Sequence, residues 1–333
     1  MWVKSPSRYE RMISMLKRIF CLLAVLMMLL PAASAETTAN EPGAFPVLNE
    51  EGFLDVGEYV YENPESGVWR YVDDQLKVEI YRRTGKNDKN KNLTWYEAEV
   101  WSRGDETWGV FTNTEGKHMS SNDWPHAVAQ KNQLVLGLST DFAQLRYPKK
   151  DASVGIIIRN GKVFSEKTRP ENSKKWPPLD ILALYPDGNM EVYISNEHTA
   201  QEYLDMGVQT TLAFGPLLIR DGIRNDADIS TMNLGNNPRV AIGMVEKGHT
   251  FAMMLEGRHT GSVGAYLDFL ADRMLEKGCT LAINLDGGET ACMIFMGEQI
   301  SFVGGISNKN SYARKTTELL GIGVSELVPD FEK

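Results

Sequence analysis

The chain of 333 residues is short of the residue types that usually announce a site, with three cysteines, five histidines and no CxxC or Cys/His ligand spacing. Cys21 lies in the N-terminal apolar run. Cys279 and Cys292 both fall in apolar contexts and read as small core residues rather than a bridge. GxxxxGK[ST], strand-borne GxGxxG, HExxH and GxSxG are all missing, which excludes the readily legible nucleotide-binding, zinc-protease and serine-hydrolase classes. Positive charge is scarce too. The formal net charge is −9, and the first 35 residues hold Lys4, Arg8, Arg11, Lys17 and Arg18 against Glu10, so the remainder is more acidic than the total. Such a body is unsuited to phosphate-backbone binding, and nucleic acid is set aside as a partner.

The N-terminal apolar run, Ile19 to Leu30, falls short of the roughly 20 residues a membrane helix needs. Basic residues precede it, and Pro31 with Ala33-Ser34-Ala35 follows, the order of a secretory signal and its cleavage site. The expectation is a signal peptide over 1–35, an extracytoplasmic product, and membrane contact only through this segment before cleavage. An uncleaved anchor is the alternative. Residues 36–50, polar and bounded by Pro42 and Pro46, read as a linker.

Hydrophobic residues make up 42% of the chain, ample for a large core. Alternation from Trp69 to Arg82 and from Trp95 to Ser102 predicts two half-buried strands around the polar loop Thr84 to Asn92. The region 51–94 therefore reads as a strand-rich extension, and 95–328 as the main domain. A helix is expected around Pro125 to Asn132, then a buried strand LVLGLST. Hairpins are expected at Asn160-Gly161 and Pro186-Asp187-Gly188, and a short helix from Glu197 to Met206. Strands Arg239–Glu246 and Thr250–Glu256 precede the clearest helix, whose apolar face runs from Val263 to Leu275. A buried strand Leu281–Leu285 ends at Asp286-Gly287-Gly288. The fold class is α+β, a central, mostly antiparallel sheet with packed helices.

Polar residues gather at strand ends: Asp141, Arg146, Arg239, Glu256, Arg258, Asn284, Asp286 and Glu289. Carboxylates beside arginines suit a site that binds phosphate and stabilises positive charge developing at a sugar carbon. Asp286 stands out, because two glycines after a buried strand let backbone amides approach a ligand; a tight Asx turn uses the same residues. His118, His126, His198 and His249 read as surface residues, whereas His259 adjoins polar groups.

Gly207-Val208-Gln209-Thr210, Ala213-Phe214-Gly215-Pro216, Asn237-Pro238-Arg239, Glu256-Gly257-Arg258 and Gly278-Cys279 through Asn284-Leu285-Asp286-Gly287-Gly288 follow one another along the chain. In this order they resemble the phosphodiester glycosidase family. Asp141-Phe142 and Gly155 to Gly161 extend the resemblance over roughly residues 95 to 325. The family usually has Asn-Gly where this chain has Ser139-Thr140, and Gly-Ser where it has Glu289-Thr290.

The resemblance implies cleavage between a sugar anomeric carbon and a phosphodiester oxygen, in an envelope or extracellular glycan. It implies Asp286 and Asp141 as carboxylates facing the carbon or activating water, and Arg239 and Arg258 on the phosphate. Arg146, Glu256, His259, Asn284, Gly287, Gly288, Glu289 and Thr290 would line the substrate. No ligand spacing demands a cofactor; a hard cation such as Ca2+ or Mg2+ on Asp141, Asp286 and backbone oxygens stays open. The alternative is a non-catalytic carbohydrate-binding or exopolysaccharide-assembly protein.

Overall fold

Alternating side chains and three turns arrange the N-terminal part as an antiparallel meander of β1 (Tyr59–Asn63), β2 (Val68–Val72), β3 (Leu76–Lys86) and β4 (Asn92–Ser102). The stretch 69–82, expected as one strand, is two. Asp73 Oδ1 accepts from the amides of Gln75 (2.7 Å) and Leu76 (2.6 Å), an Asx turn that reverses the chain so that Val72 pairs with Lys77. The expected loop 84–92 is shorter, because pairing continues to Lys86 and Asn92.

The computed structural model describes residues 43–114, 117–118, 121–142, 155–166, 179–232, 235–304 and 312–331. The expected signal peptide, most of the linker and Arg146 lie outside the described residues. Met1–Ala44 and Phe45–Lys333 are separate units, and the second carries the elements below. After the meander come β5 (Gly109–Thr112), α1 (Pro125–Lys131), β6 (Leu134–Leu138), β7 (Ile157–Arg159), β8 (Lys162–Ser165), β9 (Asp180–Leu184) and β10 (Met190–Tyr193). Next are α2 (Ala200–Asp205), β11 (Thr210–Phe214), β12 (Leu217–Arg220), β13 (Ile223–Arg224), α3 (Asp226–Met232), β14 (Arg239–Glu246) and β15 (His249–Leu255). The last are α4 (Leu267–Glu276), β16 (Leu281–Leu285), β17 (Met293–Phe295), β18 (Glu298–Gln299) and β19 (Glu318–Val324).

The antiparallel α+β expectation holds. A nine-stranded sheet runs β1-β2-β3-β4-β15-β14-β16-β12-β13, and a five-stranded sheet runs β18-β17-β6-β19-β5, with smaller sheets β10-β9-β11 and β7-β8. The N-terminal strands form one edge of the large sheet, and the expected boundary after residue 94 falls inside β4, which pairs with β15. Strand alternation supplies two core faces. Val240, Ile242 and Met254 pack toward Leu136, Phe295 and Ile322 of the second sheet, while Ala241, Phe251 and Met253 pack on Leu267, Leu270 and Met274 of α4. Cys279 and Cys292 are both buried, one in each cluster.

Helix α4 starts later than its apolar pattern suggests. Gly264 has φ +87°, and Ala265 pairs with Asn237, which holds the preceding residues extended. The four histidines expected at the surface are packed instead. His118 Nδ1 lies 3.0 Å from Glu318, His249 stacks on Trp101, His126 packs on Tyr312, and His198 packs edge-on to Tyr193 and Tyr203.

A buried ion cluster ties β7, β19 and the end of β6. Arg159, 1% exposed, pairs with Asp141 and donates to Glu318 from Nε (3.1 Å) and a terminal nitrogen (3.0 Å). Burial alone would raise the Glu318 pKa, but Arg159 and His118 outweigh it and hold the carboxyl below the usual range. Its stabilisation is therefore complete above the ordinary glutamate pKa and fades as pH falls toward the depressed value. Glu318→Gln should lower unfolding free energy by about 3–5 kcal/mol at pH 7. In urea titrations the gap to wild type should narrow at pH 3; a gap independent of pH would contradict the assignment.

Candidate active site

β14 lies between β15 and β16 and is antiparallel to both, so its start must meet their ends: Arg239 is opposite Leu255, and Val240 is opposite Leu285. This register brings three loops together, Asn237-Pro238-Arg239, Glu256-Gly257-Arg258 and Asp286-Gly287-Gly288. Their backbones approach where a side chain would not fit. A Cβ on Gly287 would lie 2.6 Å from the Pro238 carbonyl oxygen, and one on Gly257 would lie 2.8 Å from the Pro238 nitrogen. Gly288 N donates to Pro238 O at 2.9 Å.

The loop after β6 joins from the other sheet. Asp286 N donates to Thr140 O (3.1 Å), and Ser139 Oγ donates to Asp286 O (2.6 Å). Ser139 and Thr140, two of the four residues that depart from the family pattern, thus hold the Asp286 peptide on both sides. A fifth segment, before β19, brings Arg314. Its backbone N donates to Glu289 O (2.6 Å), a terminal nitrogen donates to Thr290 Oγ1 (2.5 Å), and the same nitrogen stands 3.9 Å from Asp286 Oδ2.

The two expected arginines differ in exposure. Arg258 is exposed, has a left-handed φ of +63°, and donates to Asn237 Oδ1 at 3.0 Å. Arg239 is half-buried, with its guanidinium donating to Gly235 O (3.1 Å) and Ala265 O (3.5 Å). Burial, and then the positive charge of Arg258, push its pKa down to about 10, so it remains cationic at neutral pH.

Asp286 is buried at the rim, and Gly287, Gly288 and Glu289 are half-buried beside it. Asp141 is 2% exposed; Arg159 holds one oxygen, and Ala213 N donates to the other at 2.5 Å. Its carboxylate lies inside the ion cluster, linked to Asp286 through the Thr140 backbone. Asn284 is buried and donates from Nδ2 to Gly215 O (2.7 Å), so it braces the Gly215-Pro216 turn behind the rim. Glu256, also buried, accepts from Tyr96 Oη (3.1 Å) and Phe302 N (2.8 Å), and burial raises its pKa. His259 Nε2 lies 3.2 Å from Glu256 Oε2 without the alignment of a hydrogen bond, and the ring meets Phe302 edge-on. Burial lowers the His259 pKa, which favours neutral imidazole at pH 7.

Sequence reasoning missed Arg314, Arg159 and Glu318. The signal for Arg314 is topological. β19 is antiparallel to β6, with Leu320 opposite Leu138, so the chain before β19 must lie at the rim where β6 ends. Cavities of about 320 Å3 beside α2 and about 290 Å3 at the β14–β15 turn lie elsewhere, and convergence of charge singles out the rim. Among the described residues, no three His, Cys, Asp or Glu side chains are grouped to hold a metal ion, and no helix is long and apolar enough to cross a membrane.

A family model described as phosphodiester glycosidase matches residues 132–322. The chain is 26% identical over 151 residues to the SPbeta prophage-derived uncharacterized protein YomE of Bacillus subtilis (strain 168), covering 44% of this chain and 23% of YomE. It therefore spans about a quarter of that relative's length. The catalytic domain of zebrafish N-acetylglucosamine-1-phosphodiester alpha-N-acetylglucosaminidase, auto-inhibited by its pro-peptide, superposes with a TM-score of 0.58 at 15% identity, over 82% of this chain and 90% of that one. A hypothetical protein from Synechocystis gives 0.52 at 12% identity, over 82% and 69%. At these identities the likeness to the solved structures is one of fold.

Two glycine substitutions separate crowding from backbone conformation. Gly287 has φ −110°, so Gly287→Ala meets only the clash with Pro238 O and should destabilise by about 1–3 kcal/mol. Gly207 has φ +87° with nothing within 4 Å of where a Cβ would lie, so Gly207→Ala should cost about 1 kcal/mol through conformation alone. Thermal melts should show a loss for both variants, the larger for Gly287→Ala; an unchanged melting temperature for Gly287→Ala would refute the close-approach argument.

Proposed function

The chain belongs to the phosphodiester glycosidase family, and from that premise we propose that it hydrolyses the bond between a sugar's anomeric carbon and the oxygen of a phosphodiester. The observation that carries the reading is the convergence of Asp286 with Arg258 and Arg314 on one strand-end rim, held there by antiparallel register. A phosphate monoester is a far weaker base than a sugar hydroxyl, so the departing oxygen needs little protonation, and charge placement dominates. Asp286 faces the carbon as positive charge develops, or activates the water that attacks it. Arg258 holds the phosphate, with Arg239 behind it adding positive potential.

In the balanced step, the carbon–oxygen bond breaks and its electron pair leaves with the phosphate. Water supplies the new oxygen on the sugar, and its proton passes to a carboxylate or to the phosphate. Asp141 acts through position, because its ion cluster fixes the Ser139-Thr140 segment that grips the Asp286 peptide. Glu256, His259, Asn284, Gly287, Gly288, Glu289 and Thr290 are assigned to the substrate wall and its support. No cofactor is needed for this chemistry. The signal-like N-terminus supports an extracytoplasmic setting and an envelope or extracellular glycan as substrate.

A second reading, glycan binding without cleavage, draws on one observation. Glu289 places a carboxylate in the turn that follows Asp286-Gly287-Gly288, where the family carries glycine.

The test is sugar release from a panel of α-sugar-1-phosphodiesters in oxygen-18 water. Label should enter the sugar, and Asp286→Asn should reduce kcat/KM by about 10²–10³-fold. Label in the phosphate would mean P–O cleavage, and glycan binding with no turnover across the panel would favour the second reading.

A further inference from the structure

We infer that the cavity at the β14–β15 turn is a second carbohydrate site, and that it takes one neutral sugar unit of a glycan. The site is argued from its own walls; its use by a substrate rests on the glycosidase reading. It lies at the far end of β14 from the rim. Arg239 opens that strand at the rim and Glu246 closes it opposite His249, so the two places are about 23 Å apart along an extended strand.

The cavity, of about 290 Å3, is lined by three segments. The first is a ladder across neighbouring strands. Because β4 lies between β3 and β15, register sets Lys77 on one side of Trp101 and His249 on the other. The Lys77 ammonium stands 3.9 Å from the indole centroid, and the His249 ring stacks on the indole at 4.9 Å with 15° between the planes. An indole held from both sides keeps one orientation before any ligand arrives, which lowers the ordering cost of binding. The second segment is the turn Glu246-Lys247-Gly248, clipped to the end of β4 where Ser102 N donates to Gly248 O at 2.8 Å. The third is Glu51-Gly52-Phe53. There Asn49 Oδ1 accepts from the amides of Glu51 and Phe53, both at 3.1 Å, and Arg103 pairs with Glu51 while lying over the Phe53 ring.

The lining decides the class of ligand. Lys77 and Lys247 balance Glu51 and Glu246, and Lys247 and Glu51 are taken up by Asp187 and Arg103. Lys77 and Glu246 remain, one charge of each sign, so the cavity favours no net charge. A phosphate would meet Glu246, and a cation would meet Lys77. A purely apolar ligand would strand polar groups. Among the described residues, the Lys77 ammonium, which reaches Glu79 only at 3.9 Å, the Trp101 indole N–H, the Ser102 hydroxyl and the Glu246 carboxylate make no hydrogen bond. A sugar ring answers each demand: its C–H face packs on aromatic carbon, and its hydroxyls both donate and accept. The volume is near the small end for ligand pockets and admits one ring, so the adjoining units of a chain run outward.

One consequence concerns the substrate. A polymer held at this cavity raises the effective concentration of its own phosphodiester at the rim. On the glycosidase reading, KM should therefore be lower for a polymeric phosphodiester than for one carrying a single sugar.

The test reads Trp101 directly. The full chain is labelled with 5-fluorotryptophan, and the Trp101 fluorine resonance is identified by its loss in Trp101→Phe. The probes are the methyl glycosides of glucose, galactose, mannose and N-acetylglucosamine. At least one should move that resonance, with a Kd of about 1 mM, as one sugar ring allows. Lys77→Gln and Glu246→Gln should each weaken binding about fivefold or more, as expected for lost charge-assisted hydrogen bonds. Arg273→Gln, on α4 and paired with Glu276, should match wild type. Should Trp101→Phe fail to fold, calorimetric titration of the same glycosides into wild type and Glu246→Gln carries the test. No response to any glycoside at about 100 mM, a response to inorganic phosphate alone, or binding unaffected by both Lys77→Gln and Glu246→Gln overturns the site. Sugar binding at Trp101 without sugar release from any phosphodiester supports the site and overturns the glycosidase reading; sugar release with no response at Trp101 does the reverse.

Discussion

The site depends on one packing constraint, the contact of three backbone turns at the start of β14. Because β14 runs against both β15 and β16, the Pro238, Gly257 and Gly287 peptides meet at distances that exclude a Cβ. That contact sets where Arg239, Arg258 and Asp286 leave the backbone. Residues separated by tens of positions in the chain become neighbours through register. A site that works by placing charge depends on such fixed placement.

The second sheet adds the other half. Ser139 and Thr140 hold the Asp286 peptide, and Asp141, next in the chain, is locked by Arg159, which Glu318 holds in turn. Removing one member would leave an uncompensated buried charge, so the cluster is costly to disturb. Its place at the end of β6 ties the position of Asp286 to the packing between sheets. Asp141 thus matters to the site through its surroundings even though its carboxylate is enclosed.

Much of the fold was legible where local pattern and local structure coincide. The continuous apolar runs of β14, β15 and β16, the alternation in β3, and the Asn160-Gly161 and Asp187-Gly188 turns with their positive-φ residues are all local signals, and they carry the antiparallel α+β class. Errors arose where a local bond or a distant contact intervened. Asp73 folded one expected strand into two, and the Asn237–Ala265 pairing delayed α4. Of the candidate site, the strand-end charges around Asp286 could be read because the glycines mark close approach. Arg314 and Arg159 could not, since their partners are set by the pairing of β19 with β6 and by the packing of β7, neither of which leaves a periodic trace in the chain.

The most direct measurement is a crystal structure of the Asp286→Asn variant soaked with an α-sugar-1-phosphodiester. The anomeric carbon should lie against residue 286, and the phosphate against the guanidinium of Arg258. Ordered substrate elsewhere, such as in the cavity beside α2, with the rim unoccupied, would contradict the assignment of the rim as the active site.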